Sequence, residues 1–102
     1  MKIIDLDLLK SHLRIDGDEE DALLEMYGES AEETVLNICN RSYEDFIDQY
    51  GEIPTPIRHA VLLIAGVSYR NREAVTAQNM YMVPYSFEAL VRPYTKLSRY
   101  GF

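Results

Sequence analysis

Apolar and polar residues alternate along this chain mostly at helical spacing, and the pattern is densest over residues 55–72. There the stretch from Ala60 to Gly66 is apolar on every face. A helix that is apolar all round has to be covered all round, so the remaining segments are expected to wrap it. Thr55 stands where it can cap the free N–H groups, and Pro56 falls at the first helical position, where a missing N–H costs nothing. Arg70 and Arg72 fall in the last turn, where cations suit the carbonyl end. The run is too short to cross a bilayer, which takes about 20 apolar residues.

Upstream, Asp5 can cap a short helix over residues 6–14, with Leu6, Leu9 and Leu13 as its apolar stripe. Ile15 continues inward, and Asp16-Gly17 is expected to break the helix. Asp18 is then expected to cap a long second helix ending near Asn40. Its first turn is crowded by Glu19, Glu20 and Asp21, where negative charge is favourable. Leu24, Gly28, Ala31, Val35 and Ile38 form the inward stripe, and Glu25, Glu29, Glu32 and Glu33 cover the outer face. Gly28 and Gly66 each interrupt a helix at a cost of about 1 kcal/mol relative to alanine. The absent side chains would let another segment approach closely: either the two helices cross near these residues, or each glycine serves an unrelated packing contact.

Tyr43, Phe46, Ile47 and Tyr50 have the spacing of a short third helix, and Ile53-Pro54-Thr55-Pro56 is a stiff connector. Residues 73–84 show no period. They read as a long loop, or as a short extended pair around Met80-Tyr81-Met82-Val83. Ser86 can cap a last helix over residues 87–92, stopped by Pro93. Residues 94–102 read as a tail. The fold expected is all-α, a small helical bundle around a central apolar helix, with a long loop and an extended C-terminal tail. The division expected is a helical domain over residues 1–93 and the tail over 94–102.

Charge sharpens this picture. The 102 residues carry a net charge of -7, but residues 1–52 hold fifteen acids and four bases, and residues 53–102 hold two acids and six bases. The halves therefore carry -11 and +4. Opposite poles allow copies to stack head to tail, with the acidic long helix meeting the basic later half and the contact weakening at high salt. An acidic total argues against a protein that grips the nucleic-acid backbone. One cysteine, Cys39, excludes an internal disulfide and is expected to be a small buried apolar side chain. The start of the chain turns acidic before any apolar run develops, so no secretory leader is expected.

Little in the sequence supports catalysis. His12 and His59 have no partner at a telling spacing. His12 is expected at the surface and His59 as a satisfied boundary residue. No nucleophile elbow, phosphate loop or zinc spacing is present. Asp16-Gly17-Asp18-Glu19-Glu20-Asp21 puts Gly17 at position two and Tyr27 at position twelve of a calcium loop, both wrong, and a helix start explains the acids better. No metal or cofactor is expected.

Seven of the eleven Tyr and Phe residues lie after residue 68. Tyr69 and Phe87 are expected in the core. Tyr94, Lys96, Arg99, Tyr100 and Phe102 have the composition of an interface, since Tyr, Met and Arg are enriched there. Arg58, Arg70 and Arg72, with Met80, Tyr81, Met82 and Tyr85, are the expected contact between subunits.

Leu13-Arg14-Ile15-Asp16 followed by Asp18-Glu19-Glu20-Asp21-Ala22-Leu23-Leu24 resembles the opening of the small head–tail connector proteins of long-tailed bacteriophages, often labelled DNA-packaging proteins. The resemblance continues in Asn40-Arg41-Ser42, in residues 56–69, in Asn71-Arg72-Glu73-Ala74-Val75, in Val83-Pro84-Tyr85, in Ala89-Leu90 and in Pro93-Tyr94. It spans nearly the whole chain; residues 98–102 run past the matching part. It implies an all-helical, non-enzymatic subunit of a homo-oligomeric ring under the portal in the virion neck, assembled in the host cytoplasm. Its partners would be the portal protein and another neck or tail-completion protein, with no membrane. DNA would pass through without tight binding. Asp18, Glu19, Glu20, Glu25, Glu29 and Glu32 are then the candidates to face the channel. The rival reading is an acidic DNA mimic that inhibits a nucleic-acid-binding enzyme.

Overall fold

Local capping chemistry decides where the helices begin and end. The computed structural model describes residues 1–71 and 86–96, and every regular element among them is helical. Helix α1, Leu6–Leu13, starts where the Asp5 carboxylate accepts the Leu8 N–H at 2.7 Å. It ends at Arg14, which takes the left-handed conformation (φ 60°) and lets the Ile15 N–H reach the Lys10 carbonyl at 2.9 Å. The break thus comes two residues before Asp16-Gly17. Replacing Asp5 by alanine removes only this exposed cap and is expected to cost about 1 kcal/mol in a denaturant titration.

Helix α2, Asp21–Cys39, begins later than the acidic run suggests. Asp18 does not cap it. Its carboxylate takes the Lys10 ammonium at 3.0 Å, and Asp21 takes the same ammonium at 2.7 Å. These acids tie the end of α1 to the start of α2, and the two hydrogen bonds hold the Lys10 pKa well above its ordinary value. α2 closes with Asn40 in the left-handed conformation and the Arg41 N–H on the Leu36 carbonyl at 3.1 Å. Helix α3, Tyr43–Tyr50, is capped by the Ser42 hydroxyl, which accepts the Asp45 N–H at 3.0 Å.

Helix α4, Thr55–Arg70, is the expected central helix, shifted by one residue at its start. Pro54 holds the capping position, and its carbonyl accepts from Ile57 and Arg58 at 3.0 and 3.2 Å. Thr55 is therefore inside the helix and supplies no cap. Helix α5, Ser86–Val91, runs on into a 3₁₀ turn, Arg92–Tyr94. Pro93 does not stop the chain after Arg92; it sits early in that turn, where a proline is tolerated. The expected loop or extended pair over residues 73–84 lies outside the described residues.

α4 packs against α1, α2 and α5. The largest fully buried side chains of the core are Leu9, Leu24, Val35, Cys39, Phe46, Ile57 and Val61. Phe87 is buried too, and Tyr69 packs at the core's edge. The central helix is not enclosed on every side, because Leu62, Leu63 and Ile64 remain half-buried. Ile38 is 43% exposed and stands outside the inward stripe, which continues through Cys39 instead. The step from Val35 to Cys39 stays closer to the buried face than the step to Ile38 at 3.6 residues per turn.

The two helical glycines serve different neighbours and do not mark one crossing. A Cβ on Gly28 would collide with the Met1 sulfur, so this notch receives the first side chain of the chain. A Cβ on Gly66 would sit 3.3 Å from Nε2 of His12 and 3.6 Å from a Leu13 methyl. Gly66 thus lets α1 lie close on α4.

His12 is accordingly half-buried, with Nε2 enclosed and without a hydrogen-bond partner among the described residues. Burial, then the positive charge of Arg70 and the nearby His59, push its pKa below the ordinary value. The unfolded chain binds this proton more readily than the folded one. Stability is therefore complete above the unfolded value of about 6.5 and falls as pH drops below it, until the depressed folded value is reached. His12→Gln should flatten this part of the stability profile, as read from denaturant midpoints between neutral and mildly acidic pH. An unchanged slope would place the titrating group elsewhere.

Candidate functional site

α2 and the turn before it carry the acids expected to face a channel, and the structure separates them into three groups. Glu32 is the exception to the outer face. It is only 8% exposed. One carboxylate oxygen accepts the Lys2 N–H at 3.0 Å, and the other accepts the Ile3 and Ile4 N–H groups at 2.8 and 2.9 Å. This carboxylate anchors the first residues against α2, so it does not face a channel. The amphipathic pattern placed it outside because glutamate is usually solvated. Three amides from a distant segment supply the partners that permit its burial.

Asp18 and Glu20 form the second group. Asp18 is exposed but bound to Lys10, and Glu20 accepts the Tyr69 hydroxyl at 2.7 Å, joining α2 to the end of α4. Glu19, Glu25 and Glu29 form the third group and stand exposed, together with Glu33. Glu25, Glu29 and Glu33 recur every four residues, so they line one outward row. The Met1 ammonium lies 3.9 Å from Glu29.

Much of the basic half is already engaged within the protomer. Arg58 is half-buried and donates to the Ile3 carbonyl at 3.3 Å, so it holds the N-terminal segment and is not an open cation. Arg92 meets Glu88 at 3.1 Å, one turn away. Arg70 is exposed at the end of α4. Arg72, Met80, Tyr81, Met82 and Tyr85 lie outside the described residues.

The most densely built site is a clasp at the far end of α2, which sequence reasoning did not find. Asn40, Arg41 and Ser42 each have a separate task there. Asn40 ends α2, Ser42 starts α3, and Arg41 between them reaches α3 and the 3₁₀ turn. Its Nε donates to the Tyr94 carbonyl, and Nη1 donates to Gln49 at 2.6 Å. Its guanidinium lies 5.3 Å from the Phe46 ring centre and 5.6 Å from that of Tyr50. A planar guanidinium can stack and donate at once, which an ammonium cannot. Arg41→Lys is therefore expected to lose about 1–2 kcal/mol of stability in a denaturant titration despite keeping the charge.

The clasp takes up the first residues of the expected tail. Tyr94 is half-buried, with its ring 5.5 Å from Tyr50 and 6.4 Å from Phe46. The Lys96 N–H donates to the Cys39 carbonyl at 2.9 Å, and its ammonium meets Asp45 at 2.9 Å. The expected boundary after Pro93 thus falls inside a packed contact. Tyr94 packs within its own protomer, because Phe46 and Tyr50 offer it an aromatic wall. Arg99, Tyr100 and Phe102 lie outside the described residues. Cys39 is buried, and burial pushes its thiol up from the ordinary value. That disfavours the reactive thiolate.

His59 is exposed at the surface of α4, not a satisfied boundary residue. Among the described residues, no group of three or more His, Cys, Asp or Glu could hold a metal ion, and no helix is long and apolar enough to cross a membrane. What these surfaces can do is bind other proteins and repel polyanions.

A search of curated proteins and a search of solved structures find no match to this chain. The described helices, with the clasp at Asn40-Arg41-Ser42, lie within one family match. Residues 3–95 match the family described as Phage gp6-like head-tail connector protein, and the chain belongs to that family.

Proposed function

We propose that the protein is a structural subunit of the phage neck, forming a homo-oligomeric ring beneath the portal through which DNA passes between capsid and tail. The family match over residues 3–95 carries this reading. Its neighbours would be the portal protein on one side and another neck or tail-completion protein on the other, in a particle assembled in the host cytoplasm. The exposed acidic row of α2 supports a conduit that does not hold its cargo, since every phosphate contact made by a protein adds affinity. Measuring the mass of the purified protein with and without portal tests the ring. A protein that stays monomeric in both conditions would refute it, and a monomer that competes with DNA for an enzyme would favour the DNA mimic.

Glu19, Glu25 and Glu29 are the acids proposed to line the lumen; Asp18 and Glu20 are already bonded, to Lys10 and Tyr69. Changing all three to lysine should leave the fold intact and convert the assembled ring into a DNA binder. Each phosphate neutralised would then contribute about 0.9 to the slope of log affinity against log salt. Unaltered DNA binding by that ring, or a density map of the neck with these carboxylates on the outer rim, would refute the assignment. The tail beyond Lys96, with Arg99, Tyr100 and Phe102, is proposed as the contact to portal or to a neighbouring subunit.

A further inference from the structure

We propose that a second copy of this chain docks on an uncharged, solvent-facing stripe of α2 formed by Leu23, Met26, Tyr27, Ser30, Thr34 and Ile38. This rests on the ring reading above and names the surface that closes the ring. At 3.6 residues per turn and 1.5 Å per residue, the six residues share about a third of the helix circumference and run for about 22 Å. Met26 is 55% exposed and Ile38 is 43% exposed; Leu23 and Tyr27 are half-buried, and Ser30 and Thr34 are exposed. The stripe is not needed for the core, whose contacts on α2 are made by Leu24, Gly28, Ala31, Val35 and Cys39.

Its neutrality is a matter of placement. Five of the 19 residues of α2 are acidic, and none lies on the stripe. Glu25, Glu29 and Glu33 keep to the adjoining sector, and Glu32 is turned inward. An exposed helix face in an acidic half would ordinarily share those charges. Leu23, Ser30 and Thr34 run along the middle of this face, Met26 on one side and Tyr27 and Ile38 on the other flank them, and Glu33 borders the Met26 edge, so a neutral patch has a charged rim.

The rim identifies the occupant. Glu33, the carboxylate beside Met26, disfavours nucleic acid and an anionic lipid surface and favours a partner that brings a cation to that edge; Glu25 and Glu29 lie further round the helix. This chain offers such a cation in Arg70, which is exposed at the end of α4 in a half of the chain with a net positive charge. Rim pairs of this kind set register more than affinity. A 22 Å stripe on a helix about 10 Å wide offers roughly 220 Å², against about 800 Å² per partner in a standard interface. A single pairwise contact built on it is therefore weak, and ring closure supplies the rest.

The experiment uses the full chain, followed by sedimentation across a concentration series, alone and with purified portal. Ser30→Glu and Thr34→Glu place a charge on the stripe at solvent-facing positions. Ala22→Glu places the same charge outside the stripe, in the exposed sector of Glu25, Glu29 and Glu33, as the control. Circular dichroism confirms that all three stay helical. The stripe variants should weaken self-association, alone or on portal, by about tenfold or more, and the control should stay near wild type. If wild type associates and the stripe variants match it, the subunit contact lies elsewhere; the proposal falls while the ring reading stands. If the wild-type chain stays single but its α2 stripe becomes protected from hydrogen exchange on portal, the occupant is portal and the proposal is overturned. If no assembly forms in either condition, the ring reading itself fails and takes this proposal with it.

Discussion

Replacing Glu32 by alanine is expected to destabilise the protein by about 2–4 kcal/mol, among the largest effects of any single surface-patterned position in the chain. The carboxylate accepts three backbone N–H groups, from Lys2, Ile3 and Ile4, in a site that is nearly closed to water. Alanine leaves these donors without partners, and each unsatisfied buried donor costs about 1–3 kcal/mol. The cost is capped because the segment can peel away and find water. Peeling has its own penalty, since Ile3 and Ile4 are both about 4% exposed and belong to the core. It would also free Arg58 from the Ile3 carbonyl and Met1 from the notch at Gly28.

Glu32→Gln provides the internal control. Its carbonyl oxygen can keep the two amides of Ile3 and Ile4, but its NH₂ group would face the Lys2 N–H. Glutamine should therefore recover more than half of the loss. Denaturant midpoints measure both variants, and amide exchange at residues 3 and 4 shows whether the segment has lifted. If alanine and wild type have equal midpoints and equal exchange, the carboxylate does not anchor this segment in solution.

Glu32 also shows where reading a sequence by period stops. Helix positions followed from spacing because each helix has one apolar sector, and α1, α3 and α4 fell within a residue or two of expectation. Spacing alone cannot distinguish a glutamate on a solvated face from one that collects amides from residues 28 to 30 positions away. The same limit explains Asp18. Its place before α2 is that of a cap, but Lys10, eight residues earlier, competes for the carboxylate and wins through an ion pair. Gly28 and Gly66 were legible as places of close approach. Their partners were not, because Met1 and His12 lie in segments whose path depends on the whole bundle.

The candidate site divides in the same way. The outward row of Glu25 and Glu29 was visible as an amphipathic pattern. The neutral stripe beside it was not, because Ile38 fits an inward stripe almost as well by spacing and only packing decides against it. Asn40-Arg41-Ser42 was visible as a resemblance with no mechanism. Its mechanism is a helix end, a stacked guanidinium and a helix start in consecutive residues, and the partner that completes it, Tyr94, lies 53 residues later.

That partner sets the second large effect, in the tail. A chain ending at Pro93 should lose about 3 kcal/mol of stability, and one ending at Lys96 should lose less than about 0.5 kcal/mol. The shorter chain lacks the Tyr94 ring and its contacts with Phe46 and Tyr50, commonly worth about 0.5–1.5 kcal/mol each beyond the area buried. It also lacks the Lys96 N–H on the Cys39 carbonyl and the Tyr94 carbonyl that receives Arg41. The longer chain keeps all of these. In a domain of this size the difference corresponds to roughly 10–20 °C in Tm. It should also persist in mild acid. Its hydrogen bond to Lys96 holds the Asp45 carboxyl below its ordinary value. That contact is complete above the unfolded carboxylate value of about 3.9 and is lost only as pH falls through the lower folded value. Equal melting of the two truncated chains would mean that residues 94–96 are not part of the folded body. With the body intact, the chain ending at Lys96 isolates residues 97–102, and its assembly with portal becomes a clean reading of the tail. Normal assembly would place the neck contact on the helices. Failure to assemble, with unchanged melting and helicity, would place it on Arg99, Tyr100, Phe102 and their neighbours.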